Sequence, residues 1–253
     1  MSALAIAVAV FICCFCAALV GMILHFKLPN DHLDGDSKDV VKLVMGLIAT
    51  MAALVLGLLI ASAKSSYDMQ ATEIQQVATD IVQLDRMLAL YGPETRETRV
   101  VLRQMVLTAY QQVWPADDRQ PANLDPSITQ GQVNTLYEAL QNLSPKTDAQ
   151  HRIQDMALQL GAGVSHVRTL MFEQLGASFS WPLLLVLVFW VSMLFLGFGM
   201  FARFNITVTA ALFVGALSVA CAIFLILELN QPYAGLMRVS SAPIRGALAR
   251  MAQ

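Results

Sequence analysis

Charged residues are scarce in this 253-residue chain: Asp, Glu, Lys and Arg make up only 13%, about half the ~25% of an average globular protein. The formal net charge is −2, and the sixteen Lys and Arg residues are spread along the chain, so the sequence excludes nucleic acid as a partner. Hydrophobic residues make up 57%, which excludes disorder. This composition predicts an integral membrane protein.

The chain also lacks the residue patterns of common catalytic and metal sites. It contains no G-x-S-x-G, P-loop, dinucleotide or H-E-x-x-H motif, and its four histidines are scattered. The cysteines are Cys13, Cys14 and Cys16 in the first apolar stretch and Cys221 in the last. They lack a second ligand pair at zinc spacing and are typical of small hydrophobic side chains in lipid. We therefore expect no enzyme activity, no cofactor and no metal.

Four apolar stretches are long enough to cross a bilayer, which takes about 20 residues of helix. They cover residues 4–26, 43–63, 181–201 and 206–227. No Lys or Arg precedes the first stretch, and it is too long for the hydrophobic region of a signal peptide, so we interpret it as a retained membrane helix. Four spans place both termini and the segment 64–180 on the same side of the membrane.

The Lys and Arg residues near the spans indicate the orientation. Five lie on the side of the termini and four on the other side, and this margin favours cytoplasmic termini under the positive-inside rule. The prediction is a multi-pass inner-membrane protein with the polar loop 27–42 outside. The segment 64–180 and the tail 228–253 are then cytoplasmic.

The segment 64–180 has the periodicity of helices. From Ile74 onward, apolar residues recur at three- and four-residue steps, which is typical of an amphipathic helix. No proline interrupts residues 40–92, so we expect the second span to continue as one helix to residue 91. Further helices are predicted over residues 94–114, 128–143 and 149–175. The fold class is an all-α integral membrane protein with four transmembrane helices and a helical soluble domain between the second and third.

An acidic loop precedes the second span. Its oxygen ligands at alternate positions are suited to a cation, and acids at a pore mouth concentrate cations. The loop lacks the closing Glu of a calcium-binding loop, and the favoured interpretation is a solvated turn that caps the second span. The candidates for a cation site are Asp31, His32, Asp34 and Asp36.

The second span carries small residues on one helical face. They recur at steps of four, three, four and four residues: Gly46, Thr50, Ala53, Gly57 and Ala61. Small residues allow helices to approach closely, so this face serves tight packing, within one bundle or between subunits, or it lines a narrow conduit around a symmetry axis. One four-helix unit has too little interior for a pore, so conduction requires a homo-oligomer.

Glu228 directly follows the fourth span. An acid within a membrane is a functional hypothesis by default. This one lies at the end of its span, where its carboxylate can reach water, so a functional role and a solvated position both remain open.

Three motifs resemble the bacterial bestrophin-like domain family. The chain reads Ser-Ala-Lys-Ser-Ser-Tyr-Asp at residues 62–68, Glu-Leu-Asn-Gln-Pro-Tyr-Ala-Gly-Leu at residues 228–236, and Leu-Pro-x-x-His at residues 28–32. The resemblance covers nearly the whole chain and implies a small four-span membrane protein.

A more distant similarity to true bestrophins implies a homopentameric ion channel with cytosolic termini. In those proteins the second helices line the axial pore, and a proline-aromatic-glycine stretch after the last span helps to gate it. The residues matched by these resemblances are Tyr67, Asp68, Glu228, Asn230, Pro232, Tyr233 and Gly235.

Three departures separate the chain from true bestrophins. Met69-Gln70-Ala71 follow the tyrosine-aspartate pair where true bestrophins have Arg and tandem Trp. Small residues also occupy the face that is bulky and apolar at their pore constriction. The acidic run of their calcium site is absent after Gly235, so the resemblance does not extend to calcium gating.

The sequence therefore predicts a bestrophin-like homo-oligomeric ion channel whose second span lines the axial pore. Its partners are the lipid bilayer, further copies of the chain and small inorganic ions. The alternative is a non-conducting membrane scaffold that binds a partner through its helical cytosolic domain, because an amphipathic stripe containing Ile74 and Ile81 also suits a partner helix.

Overall fold

The computed structural model describes residues 2–27, 35–115, 126–176, 181–202, 204–233 and 235–252. The regular elements in these ranges are helices, which confirms the predicted all-α fold class. The α-helices are α1 Ala3–Lys27, α2 Gly35–Tyr91, α3 Arg96–Val113, α4 Pro126–Gln141, α5 Asp148–Gly176, α6 Trp181–Phe201, α7 Ile206–Leu229 and α8 Ala242–Arg250. Four of them, α1, α2, α6 and α7, are long and apolar enough to cross a membrane.

The second helix is a single element of 57 residues. It contains no proline, and it ends at Tyr91 because Gly92 has a φ of 138°, which favours glycine, and Pro93 follows. The Oγ1 of Thr95 lies 2.5 Å from the carbonyl oxygen of Leu88 and 2.8 Å from that of Gly92. This buried hydroxyl therefore donates to the Leu88 carbonyl in the last turn of the helix, where carbonyls lack the usual helical partners. The Gly92 carbonyl also accepts from the backbone N–H of Thr95 at 3.3 Å.

The last membrane helix, α7, begins with a side-chain cap. The side-chain oxygen of Asn205 accepts a hydrogen bond from the backbone N–H of Thr207 at 3.3 Å, which satisfies one of the free N–H groups of the first turn. The acidic loop before α2 lies largely outside the described residues, including the candidates Asp31, His32 and Asp34. Asp36 lies in the first turn of α2, and its side chain is outside the described part of the structure.

The chain divides into two compact units. A membrane unit comprises Met1–Ser66 and Ser178–Asn230, and a soluble unit comprises Tyr67–Ala177 and Gln231–Gln253. Helix α2 contributes to both units, whereas α1, α6 and α7 belong to the membrane unit.

Two glycines allow α1 and α6 to pack with their backbones in contact. A Cβ atom added to Gly21 would lie 2.1 Å from the carbonyl oxygen of Leu196, and one added to Gly199 would lie 2.1 Å from that of Ala18. No side chain fits at either position. This close approach is typical of small residues between membrane helices.

The soluble unit has its own apolar core. Ile74 and Ile81 of α2 are each only 3% exposed, so the stripe that the scaffold interpretation offers to a partner is used inside the protein. Other buried members come from α2, α3, α4, α5, α8 and the segment after α7: Leu84, Leu88, Leu102, Val106, Leu140, Ala157, Tyr233, Val239, Ile244 and Ala247.

An ion pair between Arg99 and Asp85 joins α2 to α3 in the soluble unit. The guanidinium of Arg99 donates from Nε to Oδ1 of Asp85 at 2.7 Å and from Nη2 to Oδ2 at 2.9 Å. The Asp85 side chain is only 12% exposed. Both carboxylate oxygens are therefore satisfied at a largely buried position, where an unpaired charge would be costly.

Candidate functional site

The small-residue face of α2 is exposed in the protomer. Gly46, Thr50, Ala53, Gly57 and Ala61 are all exposed. A Cβ atom added to Gly46 or Gly57 would meet nothing within 4 Å. Among the described residues, packing within the protomer therefore does not use this face.

A different face of α2 packs inside the membrane unit. Ala52, Leu59 and Ala63 are 5%, 6% and 2% exposed, and the side chain of Met45 lies against Gly197 of α6. At 100° per residue these positions lie more than a quarter turn from Gly57. Helix α2 thus uses one face for packing in the protomer and presents the small residues on another.

The exposed face of α2 is weakly polar. Its only hydroxyl group is on Thr50, and that Oγ1 donates a hydrogen bond to the carbonyl oxygen of Leu47 at 2.8 Å. The other four members are glycine or alanine. The face therefore offers little bulk and no charged side chain.

The segment after α7 forms a closed loop in the soluble unit. The backbone N–H of Val239 donates to the carbonyl oxygen of Pro232 at 2.8 Å, and Gly235 supplies the left-handed turn with a φ of 80°. The hydroxyl of Tyr67 on α2 donates to the carbonyl oxygen of Arg238 at 3.4 Å. We call residues 232–239 the post-span loop.

The end of α3 also holds the post-span loop. Trp114 donates from Nε1 to the carbonyl oxygen of Val239 at 3.1 Å. Its ring meets that of Tyr233 edge to face, with centroids 6.5 Å apart, and Tyr110 stacks on it at 5.8 Å. Aromatic pairs in these geometries add stability beyond the burial of their area.

The phenol of Tyr233 is kept neutral. Burial raises its pKa well above the ordinary value, and the negative charge of Glu73 on α2 raises the pKa further. Both effects disfavour the phenolate. Tyr233 therefore acts in this site as a hydroxyl group and an aromatic surface.

The structure divides the residues that the sequence motifs group together. Tyr67 and the post-span loop, which includes Tyr233, belong to the soluble unit. Asp68 of the same unit is exposed. Asn230 ends α7, and its side-chain Nδ2 donates to the carbonyl oxygen of Ile226 at 3.0 Å. Glu228 is only 6% exposed in the membrane unit. The sequence left a solvated position open for this residue, but in the protomer the residue is buried.

The described residues contain no group of three or more His, Cys, Asp or Glu side chains that could hold a metal ion. In the first span, the Sγ of Cys13 lies 3.4 Å from the Oγ of Ser192 on α6, and that of Cys14 lies 3.9 Å from it. These thiols are helix contacts within the membrane unit.

Sequence reasoning missed two residues of the site, Gln70 and Trp114. Gln70 is buried on α2 one turn beyond Tyr67, and its spacing from Tyr67 and Ile74 is a signal that it shares their inward face. Trp114 was predicted only as the end of a helix. No periodic pattern relates it to Val239.

Four membrane-spanning candidates and a helical soluble unit define a multi-pass membrane protein. The family model for the bestrophin-like domain matches residues 12–244. The chain belongs to the bestrophin-like domain family, as its motifs predicted. No curated protein gives a significant match.

Solved structures of a bacterial bestrophin homologue from Klebsiella pneumoniae have a similar fold. One is 13% identical, with 96% of each chain covered and a TM-score of 0.67. A variant with a single isoleucine-to-threonine mutation is 14% identical, with 97% of each chain covered and a TM-score of 0.67. A tryptophan-to-alanine variant is 13% identical, and the match covers 100% of this chain and 99% of the variant's chain, with a TM-score of 0.65. At this identity the likeness establishes the fold.

Proposed function

We propose that the protein is a bestrophin-like, homo-oligomeric ion channel in which α2 lines the axial pore. It conducts small inorganic ions across the bacterial inner membrane, with both termini and the soluble unit in the cytoplasm. The observation that carries the proposal is the exposed small-residue face of α2, at which a Cβ on Gly46 or Gly57 would meet no atom within 4 Å.

The proposal requires an oligomer, because a single four-helix unit has too little interior for a pore. Closed cyclic symmetry places the same face of α2 from every copy around one axis. Faces of glycine and alanine leave space at that axis, whereas bulky side chains would fill it. The similarity to bestrophins supports five copies.

Flux into liposomes tests conduction and the role of α2 together. Purified protein is reconstituted, and ion flux is measured beside particle size in the same detergent preparation. Gly57→Trp places an indole on the proposed lining and is expected to abolish flux while the oligomer persists. The control is Leu185→Trp on α6, where the native side chain is 66% exposed and, in our proposal, faces lipid; flux is expected to persist there.

A cysteine scan tests the lining directly. Cys13, Cys14, Cys16 and Cys221 are first replaced by alanine, because three of them are exposed. Single cysteines from residue 46 to residue 61 are then treated with a water-borne thiol reagent. Reaction at Ala53 and Ala61 but not at a Leu185→Cys control supports the pore. No reaction anywhere on the small-residue face would overturn it.

A stable oligomer without flux is the outcome that favours a scaffold. Flux is therefore measured over a range of pH, voltage and calcium concentration before conduction is rejected. In that case the small-residue face of α2 is a packing surface between copies.

A further inference from the structure

The post-span loop exposes apolar side chains at its tip. Leu236 is 83% exposed and Met237 is 39% exposed, and Gly235 beside them is exposed as well. The base of the loop is buried, because Tyr233 and Val239 are each only 4% exposed in the core of the soluble unit. Two consecutive apolar side chains are therefore held out of the protomer at one point.

Hydrogen bonds fix the backbone on which this tip is built. The Nε of Arg238 donates to the carbonyl oxygen of Gly235 at 3.2 Å, which closes the tip. The carbonyl oxygen of Arg238 accepts from the hydroxyl of Tyr67 at 3.4 Å. At the base, the N–H of Val239 donates to the carbonyl oxygen of Pro232 at 2.8 Å. The exposed tip thus belongs to a closed loop that is bonded to α2.

Tyr67 sets the level of this loop along α2. Ala63 is the last residue of the apolar stretch in α2, and Lys64 is the first charged residue after Lys42. At 1.5 Å per residue, Tyr67 lies about 6 Å beyond Ala63 along the uninterrupted helix. The headgroup layer on each side of the hydrocarbon core is about 5–8 Å thick. The carbonyl to which Tyr67 bonds is therefore expected at the depth of the lipid headgroups.

The other connection of the loop is also close to a membrane helix. The apolar helix α7 ends at Leu229, and Asn230 is its C-cap. The loop begins two residues later, at Pro232, and its tip follows within five further residues. Both chain segments that hold the loop therefore leave an apolar span only a few residues before they reach it.

The charge of the chain after the last span suits an anionic lipid surface. Residues 229–253 contain three Arg and no Asp or Glu, and Arg245 and Arg250 are exposed. The cytoplasmic leaflet is negatively charged and attracts Lys and Arg residues that lie close to it. Apolar side chains accompanied by basic residues are typical of segments that lie in the membrane interface.

We propose that the tip of the post-span loop, residues 235–237, lies in the headgroup layer of the leaflet next to the soluble unit. Leu236 and Met237 contact the lipid acyl chains there, which removes both side chains from water. Because Tyr67 and Trp114 bond to the same loop, this contact ties α2 and α3 to the bilayer. The inference requires a membrane protein and nothing more, so it stands whether or not α2 lines a pore.

Spin-label accessibility in the reconstituted full chain tests this placement. A nitroxide label is attached to Leu236→Cys in the cysteine-free protein, which is placed in mixed vesicles of phosphatidylcholine and anionic phosphatidylglycerol. Relaxation of the label is measured with oxygen, which concentrates in lipid, and with a water-soluble nickel chelate on both sides of the vesicle. The control is Leu90→Cys, because Leu90 is 64% exposed and lies about 40 Å beyond Ala63 on the same helix.

The ratio of oxygen to nickel relaxation is expected to be several-fold higher at Leu236→Cys than at Leu90→Cys. Equal ratios would place the tip in water and overturn the proposal. Weak relaxation by both reagents would overturn it as well, because protein would then cover the tip. Dipolar broadening between labels would identify that protein as a second copy of the chain.

A second reporter, Met237→Cys, guards against a variant that does not fold. Both native side chains are exposed, so neither replacement is expected to disturb the fold, and particle size in detergent checks this against wild type. If Leu236→Cys loses the wild-type particle size, the same comparison with Leu90→Cys is made at Met237→Cys. A ratio there that equals the control overturns the proposal.

Discussion

The indole Nε1 of Trp114 donates a hydrogen bond to the carbonyl oxygen of Val239 at 3.1 Å, although the two residues are 125 positions apart. This bond fixes the post-span loop to the end of α3. Val239, Ile244 and Met251 are 4%, 6% and 7% exposed. The chain after the last membrane helix is therefore part of the core of the soluble unit.

Trp114→Phe is expected to destabilise the soluble unit through the loss of this bond. The ring contact with Tyr233 is kept, but the carbonyl of Val239 loses its donor, at a cost of about 1–2 kcal/mol of unfolding free energy. Trp114→Ala also removes the packing and is expected to cost about 3 kcal/mol. Chemical denaturation followed by circular dichroism measures both. Equal stability of Trp114→Phe and wild type would contradict this account.

The glycines of the membrane unit are expected to fall into two classes. Gly21→Ala and Gly199→Ala force a Cβ against a backbone carbonyl and are expected to cost about 1–3 kcal/mol. Gly46→Ala is the matched control, since its Cβ meets nothing within 4 Å, and we expect no loss. Thermal aggregation in detergent compares the three variants. A loss at Gly46 equal to that at Gly21 would refute the distinction.

The Arg99–Asp85 pair is expected to contribute measurably to stability. Arg99→Lys keeps the charge but loses the two-point geometry, and Asp85→Asn leaves the guanidinium without its counter-charge. Because the pair is largely buried, we expect a loss of about 2 kcal/mol for each, less than for a fully buried pair. The exposed Lys42–Asp39 pair, with side chains 63% and 75% exposed, supplies the control. Lys42→Ala is expected to change stability by less than about 0.5 kcal/mol.

Stability is expected to fall in alkaline solution because of Tyr233. Its pKa is raised in the folded protein, whereas a tyrosine in the unfolded chain ionises near pH 10. Above that pH the unfolded state loses the proton first, so unfolding becomes more favourable as pH rises. Tyr233→Phe removes this contribution, so the stability of the variant relative to wild type is expected to rise between pH 8 and pH 10.5. A constant difference in stability across that range would contradict the raised pKa.

Local signals in the sequence account for much of the fold. The apolar runs predict four membrane helices, and the absence of proline before Gly92 predicts one continuous α2. The sequence cannot separate Gly57, which faces open space, from Gly199, which faces a backbone, because both lie in apolar stretches. The hydrogen bond of Trp114 to Val239 also depends on a contact between distant parts of the chain, which no periodicity records.

Sequence patterns also do not show which face of α2 would line the proposed pore. Charge placed on the small-residue face gives the most specific test. Ala53→Lys and Ala53→Glu add opposite charges to the exposed face of α2, where the native residues carry none. Charges at a narrow lining attract counter-ions and repel ions of like charge. We therefore expect Ala53→Lys to shift the reversal potential in a salt gradient towards anion selectivity, and Ala53→Glu to shift it towards cations. Thr50→Val is expected to change it little, because the hydroxyl already bonds to the Leu47 carbonyl. If neither charge at Ala53 changes the reversal potential of a conducting oligomer, the conduction path does not run along this face of α2.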